Sequence, residues 1–267
     1  KEFEERTGWN VRVETGSAKE MLSQLEKEEA DWDVAFGVSA DALEEGKEYW
    51  QTGKDAWTGY SAVSFVILYN TNVVTYRELP TGWDSLLEPR WKGRVAVPDP
   101  LKSDMAASVL TEAAKNSEKE EFLDLLAENM QYQMPETFKE VEQGISDGRY
   151  SIGVTSEEAA KAMLAAGQDV DYIDPEEGEC FFEDGTAIRK RTPNLDASEA
   201  FVTYTTCDDT KWLLRTQLLR QPAEDVAAEN DRSDEDLKQR YSRQQEVLNI
   251  WKLIMEEKSG SAHEQEQ

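Results

Sequence analysis

Residues 61–70, SAVSFVILYN, constrain the fold of this 267-residue chain more than any other stretch. Ten residues rich in β-formers and free of charge read as a strand buried on both faces, which needs a covering layer on each side. Around it, short apolar runs alternate with helix-period stretches. NVRVET (10–15), WDVAFG (32–37), RVAVPD (94–99), YSIGVT (150–155), VDYIDP (170–175) and GTAIRK (185–190) read as strands. SAKEMLSQLEKEEA (17–30), SDMAASVLTEAAK (103–115), EKEEFLDLLAENM (118–130) and EEAAKAMLAAG (157–167) read as helices. Capping boxes are predicted at Ser17 with Glu20, Thr137 with Glu140, and Thr155 with Glu158. A last helix is predicted from Ser233, with Leu237, Tyr241, Leu248, Trp251 and Met255 on one face. The alternation predicts an α/β fold with largely parallel sheets.

The charge balance narrows the partners. There are 56 acidic against 29 basic residues, for a net charge of −27. Nucleic acid and anionic membranes are poor partners for such a field, because phosphate binding needs clustered Lys and Arg. No apolar run is long enough to span a bilayer, and no signal peptide is present. The chain opens inside what reads as a helix, KEFEERTG, as if its natural N-terminus had been removed, and a signal or lipid anchor with it. Cys180 and Cys207 lack metal-ligand spacing and are compatible with one disulfide or with two free thiols. The single histidine, His263, sits in the polar tail SGSAHEQEQ, which argues against Ser-His-Asp, Cys-His and His-metal sites. Glu157 and Glu158 are adjacent on a helix, so their side chains diverge by about 100° and make a poor acid–base pair. Neither GxGxxG nor GxxxxGK[ST] occurs. No enzymatic activity and no cofactor are therefore expected.

A hydroxyl or carboxylate repeatedly opens a helix just after a strand, at Ser17, Ser39, Ser103 or Asp104, and Thr155 or Ser156. Thr137 is similar, though a helix precedes it. Such residues are ordinary helix caps. At the carboxyl ends of parallel strands, however, helix N-termini also offer free N–H groups and a partial positive charge to an anion.

Three stretches resemble one family. WDVAFGVSADALEEGKEYW (32–50), LPTGWDSLLEPRWKGRVAVPDP (79–100) and GISDGRYSIGVTSEEAAKAM (144–163) are similar to segments of the ABC-transporter solute-binding proteins that take ferric iron, phosphonates or sugar phosphates, the type II periplasmic binding proteins. The middle stretch matches in the order of its Trp, Pro and Gly positions. The resemblance implies a two-lobed α/β fold with hinge strands and an interlobe ligand cleft. Residues 1–65 then begin lobe one, 66–174 form lobe two, 175–258 complete lobe one with C-terminal helices, and 259–267 are a disordered tail. The family's first strand is missing ahead of Lys1.

The resemblance further implies a monomer that captures a small anionic or zwitterionic ligand by closing, and an ABC permease as partner. A membrane histidine kinase is the alternative partner. The ligand would be a phosphonate, a phosphorylated compound or an iron complex. Localisation would be extracytoplasmic, periplasmic or as a cell-surface lipoprotein. Ligand contacts are expected from Ser17, Ser39, Ser103, Asp104, Thr137, Thr155, Glu157 and Glu158. The family's iron binders carry adjacent tyrosines where this chain reads TSEEAA. Metal binding would instead need carboxylates with Tyr60 or Tyr69.

Overall fold

A computed structural model describes residues 1–51, 56–178, 180–218, 220–227 and 234–265. The chain divides into two compact units, 1–62 with 183–242 and 63–182 with 243–267. The sequence placed the crossings at 65/66 and 174/175, and gave the whole C-terminal region to the first unit. In the structure the chain beyond Ser242 belongs to the second.

Unit 1 opens with α1 (Glu2–Thr7), α2 (Ala18–Glu26), β1 (Val34–Ser39) and α3 (Ala40–Glu45). Strand β2 (Thr58–Asn70) carries the chain into unit 2. There follow β3 (Val95–Ala96), α4 (Asp104–Asn116), α5 (Phe122–Asn129), α6 (Phe138–Ser146), β4 (Ile152–Ser156), α7 (Glu157–Ala165) and β5 (Val170–Ile173). Strand β6 (Cys180–Ile188) returns to unit 1, where α8 (Leu195–Thr205), α9 (Asp208–Leu213), β7 (Gln221–Pro222) and α10 (Ala223–Ala227) follow. Helix α11 (Asp234–Gln265) begins in unit 1 and ends in unit 2.

The expectation of largely parallel sheets is corrected. In unit 1, β1 pairs antiparallel with β6 and β7 antiparallel with β2. In unit 2, β4 and β5 both pair antiparallel with β2, and β3 pairs parallel with β4. The long crossing strand β2 supplies edges to both units, and strands returning along it run against it. The strand expected over 10–15 also does not form among the described residues. Val13 is 77% exposed, and the Val11 amide donates to Glu4 Oε1 at 2.9 Å instead of to a ladder. Alternating pattern is a property of one strand, whereas strand stability resides in cross-strand pairs. At the other end, the tail expected to be disordered from residue 259 continues α11 to Gln265. No proline interrupts it, and its Glu, Ala and Gln residues tolerate a helix. Ser233, the expected start of this helix, lies outside the described residues.

Each unit has its own core. Unit 1 packs Leu22, Leu25, Leu43, Trp50 and Ala187, and the Trp50 indole N–H donates to Leu43 O at 2.7 Å. Unit 2 has a larger core, with Phe65, Ile67, Trp83, Leu86, Phe122, Leu126 and Trp251. The motif GWDSLL builds one wall of it. Both carboxylate oxygens of Glu177 accept from backbone there, Oε2 from Trp83 N (2.9 Å) and Oε1 from Asp84 N (3.0 Å). A Cβ on Gly82 would stand 1.6 Å from Glu177 Oε2, so glycine is what admits the carboxylate. Cys180 is buried and Cys207 half-buried, and neither forms a disulfide.

Candidate ligand site at the strand ends of unit 2

Strands β3 and β4 run parallel, with Val95 opposite Ile152 and Ala96 opposite Gly153, so both end at the same edge. Ser103 follows β3 and caps α4, its Oγ accepting from Ala106 N at 3.3 Å. Ser156 ends β4 and caps α7, accepting from Ala159 N at 3.2 Å. Thr137 caps α6, accepting from Glu140 N at 3.2 Å. The loop ahead of α6 is tied to the one after β3 by Asp99 N donating to Pro135 O, at 2.9 Å. Phe65 of β2 stacks on Phe138 of α6, with ring centroids 5.5 Å apart. Three helix N-termini thus converge on one end of the sheet. Each capping oxygen accepts from its own helix, which leaves the hydroxyl proton able to donate.

Gly153 makes this packing possible, since a Cβ there would meet Ala96 O at 2.6 Å and Val141 Cγ1 at 2.8 Å. Helix α6 therefore lies directly on β4.

The eight residues expected from sequence are placed as follows. Ser17 caps α2 in a complete capping box with Glu20 and is exposed. Ser39 ends β1 and caps α3, buried, accepting from Ala42 N at 3.4 Å. Both belong to unit 1. Ser103, Asp104, Thr137, Thr155, Glu157 and Glu158 gather at the strand ends of unit 2. The Asp104 carbonyl accepts from the Gln244 amide of α11 at 3.2 Å. Glu157 pairs with Lys161 at 2.8 Å, and Glu158 approaches the same ammonium at 3.8 Å.

Thr155 is the exception to the cap pattern. The expected Thr155–Glu158 capping box does not form, because β4 runs one residue further and Ser156 takes the cap. Thr155 is fully buried and its hydroxyl donates to Glu142 Oε1 at 2.7 Å. Glu142, which the sequence did not single out, is half-buried on α6. Burial pushes its carboxyl above the ordinary range, against the lowering effect of the Thr155 bond and of Lys139. Its one sequence signal is its place directly after Val141 on the buried Val141–Ile145 stripe.

The two tyrosines weighed for metal binding sit on β2. Both phenols are held above their ordinary value, chiefly by burial, with Asp184 acting further on Tyr60 and Asp171 on Tyr69. Among the described residues no group of three or more His, Cys, Asp or Glu could hold a metal ion. No described helix is long and apolar enough to cross a membrane.

Residues 20–245 match the model of the bacterial extracellular solute-binding protein family. The chain belongs to that family. Among structures, this solute-binding protein is similar to the ferric binding protein from Campylobacter jejuni, at 16% identity and a TM-score of 0.76, covering 95% of this chain and 93% of that one. It is equally similar in fold to the periplasmic binding protein AfuA from Actinobacillus pleuropneumoniae, described with fructose-6-phosphate bound, at 14% identity and a TM-score of 0.76, covering 96% and 93%. In sequence it is 23% identical to iron uptake protein A1 of a Synechocystis strain, over 86% of this chain and 69% of the relative. The fold is thus that of the two-lobed periplasmic binding proteins. The family is one of binding proteins serving ABC transport, not one of enzymes.

Proposed function

We propose that this solute-binding protein captures a small anionic or zwitterionic solute and delivers it to an ABC permease. The observation that carries this reading is the convergence of α4, α6 and α7 on one sheet end, each start capped by a hydroxyl with a proton to give. Anions favour such ends through the free N–H groups and the helix dipole. Ser103, Thr137 and Ser156 would donate to the ligand. Closing on the ligand, as the family resemblance implies, is the change the permease would read. Phosphonates, phosphorylated compounds and anion-chelated iron are the candidate ligands. The relative named for iron uptake supports the last of these, and the TSEEAA sequence at the position of the family's paired tyrosines disfavours ferric ion alone.

A thermal-shift screen against phosphate, phosphoethanolamine, hexose phosphates and ferric citrate tests the reading. Ligand at a hundred times its Kd raises stability by about 2.7 kcal/mol. The double variant Ser103→Ala with Thr137→Ala should lose that stabilisation. An undiminished shift in the variant refutes the site, and no shift with any compound refutes the ligand class.

A further inference from the structure

Resting on the capture reading, we infer that Glu142 is a specificity-determining residue that selects a ligand carrying a positively charged nitrogen. The carboxylate is half-buried beside the fully buried Thr155. Its hydrogen bond within the protein is the one from Thr155 Oγ, and it makes no ion pair among the described residues. Its neighbours differ in this respect. Glu157 and Glu158 share Lys161, and Glu136 pairs with Lys102. Glu140 accepts from the Glu136 amide at 2.6 Å.

A carboxylate has room for about four hydrogen-bond donors. Burying one without a countercharge is costly, and burial raises its pKa accordingly. The strand beneath it, β4, carries no titratable side chain, and Lys139 on its own helix acts on it without forming an ion pair. The missing countercharge is therefore one a ligand can bring.

Position fits the same conclusion. Thr155 and Ser156 are consecutive, so their Cα atoms are ~3.8 Å apart. Glu142 is thus hydrogen-bonded to the residue that directly precedes the α7 cap. Thr155 also differs from the capping hydroxyls, because its proton is already given to Glu142. The hydroxyl-capped helix starts suit the anionic end of a zwitterion, and the Glu142–Thr155 pair suits its ammonium end.

Two matched probes, phosphoethanolamine and ethyl phosphate, differ by the ammonium group alone. Calorimetry on the whole chain should give phosphoethanolamine a Kd lower by roughly tenfold or more, the range of a charge-assisted hydrogen bond. In Glu142→Gln, which keeps an acceptor for Thr155, the two affinities should converge while that for ethyl phosphate holds. Equal affinities in the unmodified protein overturn the inference and leave solute capture standing.

If neither compound binds, the capture reading loses its phosphate ligands, and carbon-13 NMR of the Glu142 carboxyl decides the inference alone. Ethylammonium chloride should lower the titration midpoint by about one pH unit relative to sodium chloride at equal ionic strength. An unchanged midpoint overturns the assignment.

Discussion

Replacing Arg220 by Met will expose how unit 1 secures a buried charge. Asp184 on β6 is 2% exposed. It accepts from Ser61 Oγ on β2 at 2.8 Å and pairs with the Arg220 guanidinium at 2.7 Å. Arg220 immediately precedes β7, which pairs with β2 at Ser61 and Ala62, so the ion pair joins three segments of the unit. Removing one partner of a buried pair costs about 3–5 kcal/mol, because the other charge is left without compensation. Ser61 would still donate and Met would keep much of the packing, so we expect the lower end, about 3 kcal/mol. Burial already holds the Asp184 carboxyl above its usual value, with Arg220 pulling it down, and the variant removes that pull. A folded-state pKa raised above the unfolded one means the native state holds the proton more tightly. Ionisation of Asp184 thus costs stability above its folded pKa, and protonation restores it as pH falls toward the unfolded value. Urea unfolding followed by tryptophan fluorescence should therefore show a large loss at pH 7.5 that shrinks at pH 5. Asp184→Asn with Arg220→Met should regain most of it. A loss under about 1 kcal/mol, or one equal at both pH values, refutes the argument.

Other outcomes follow from the same geometry. Glu177→Ala strips the acceptor from the Trp83 and Asp84 amides and should cost about 1–2 kcal/mol in urea unfolding, the scale of a lost helix cap. Leu126→Ala, at a fully buried position among Trp83, Leu86 and Phe122, should cost about 2–5 kcal/mol. With a net charge of −27, self-repulsion weakens the compact state. Raising sodium chloride from about 0.1 to 1 M shortens the screening length from about 10 to 3 Å, so Tm should climb in calorimetry. A flat response would show that the acids are already compensated locally.

What the sequence made legible was local or carried by family resemblance. Ser17, Ser39, Ser103 and Thr137 each cap a helix as their spacing indicates. The stretch at 61–70 is buried along β2, save for a half-exposed Ser64. Partner-dependent features were hidden. The direction of strand pairing depends on where β2 and β6 lead, and residues 10–15 have a strand's pattern without a neighbour to pair with. The shift of the α7 cap from Thr155 to Ser156 reflects how far β4 stays paired with β2, since Phe65 pairs with Ser156 itself. Glu142 was invisible because what marks it is a neighbour thirteen residues away, together with the lack of an ion pair among the described residues.

The split of unit 1 across the chain also sets a timetable. Val34 of β1 pairs with Ile188 of β6, so the first strand leaves the ribosome about 150 residues before its partner. At ~5–20 residues per second that is a wait of roughly 8–30 seconds. Residues 63–182 of unit 2 form one uninterrupted stretch and can begin to collapse within that interval. Strand β1 cannot, and an unpaired strand edge invites pairing with other chains. Nascent copies of this protein are therefore exposed to aggregation through the segment around β1, and the chain's surplus of negative charge works against it before any fold exists.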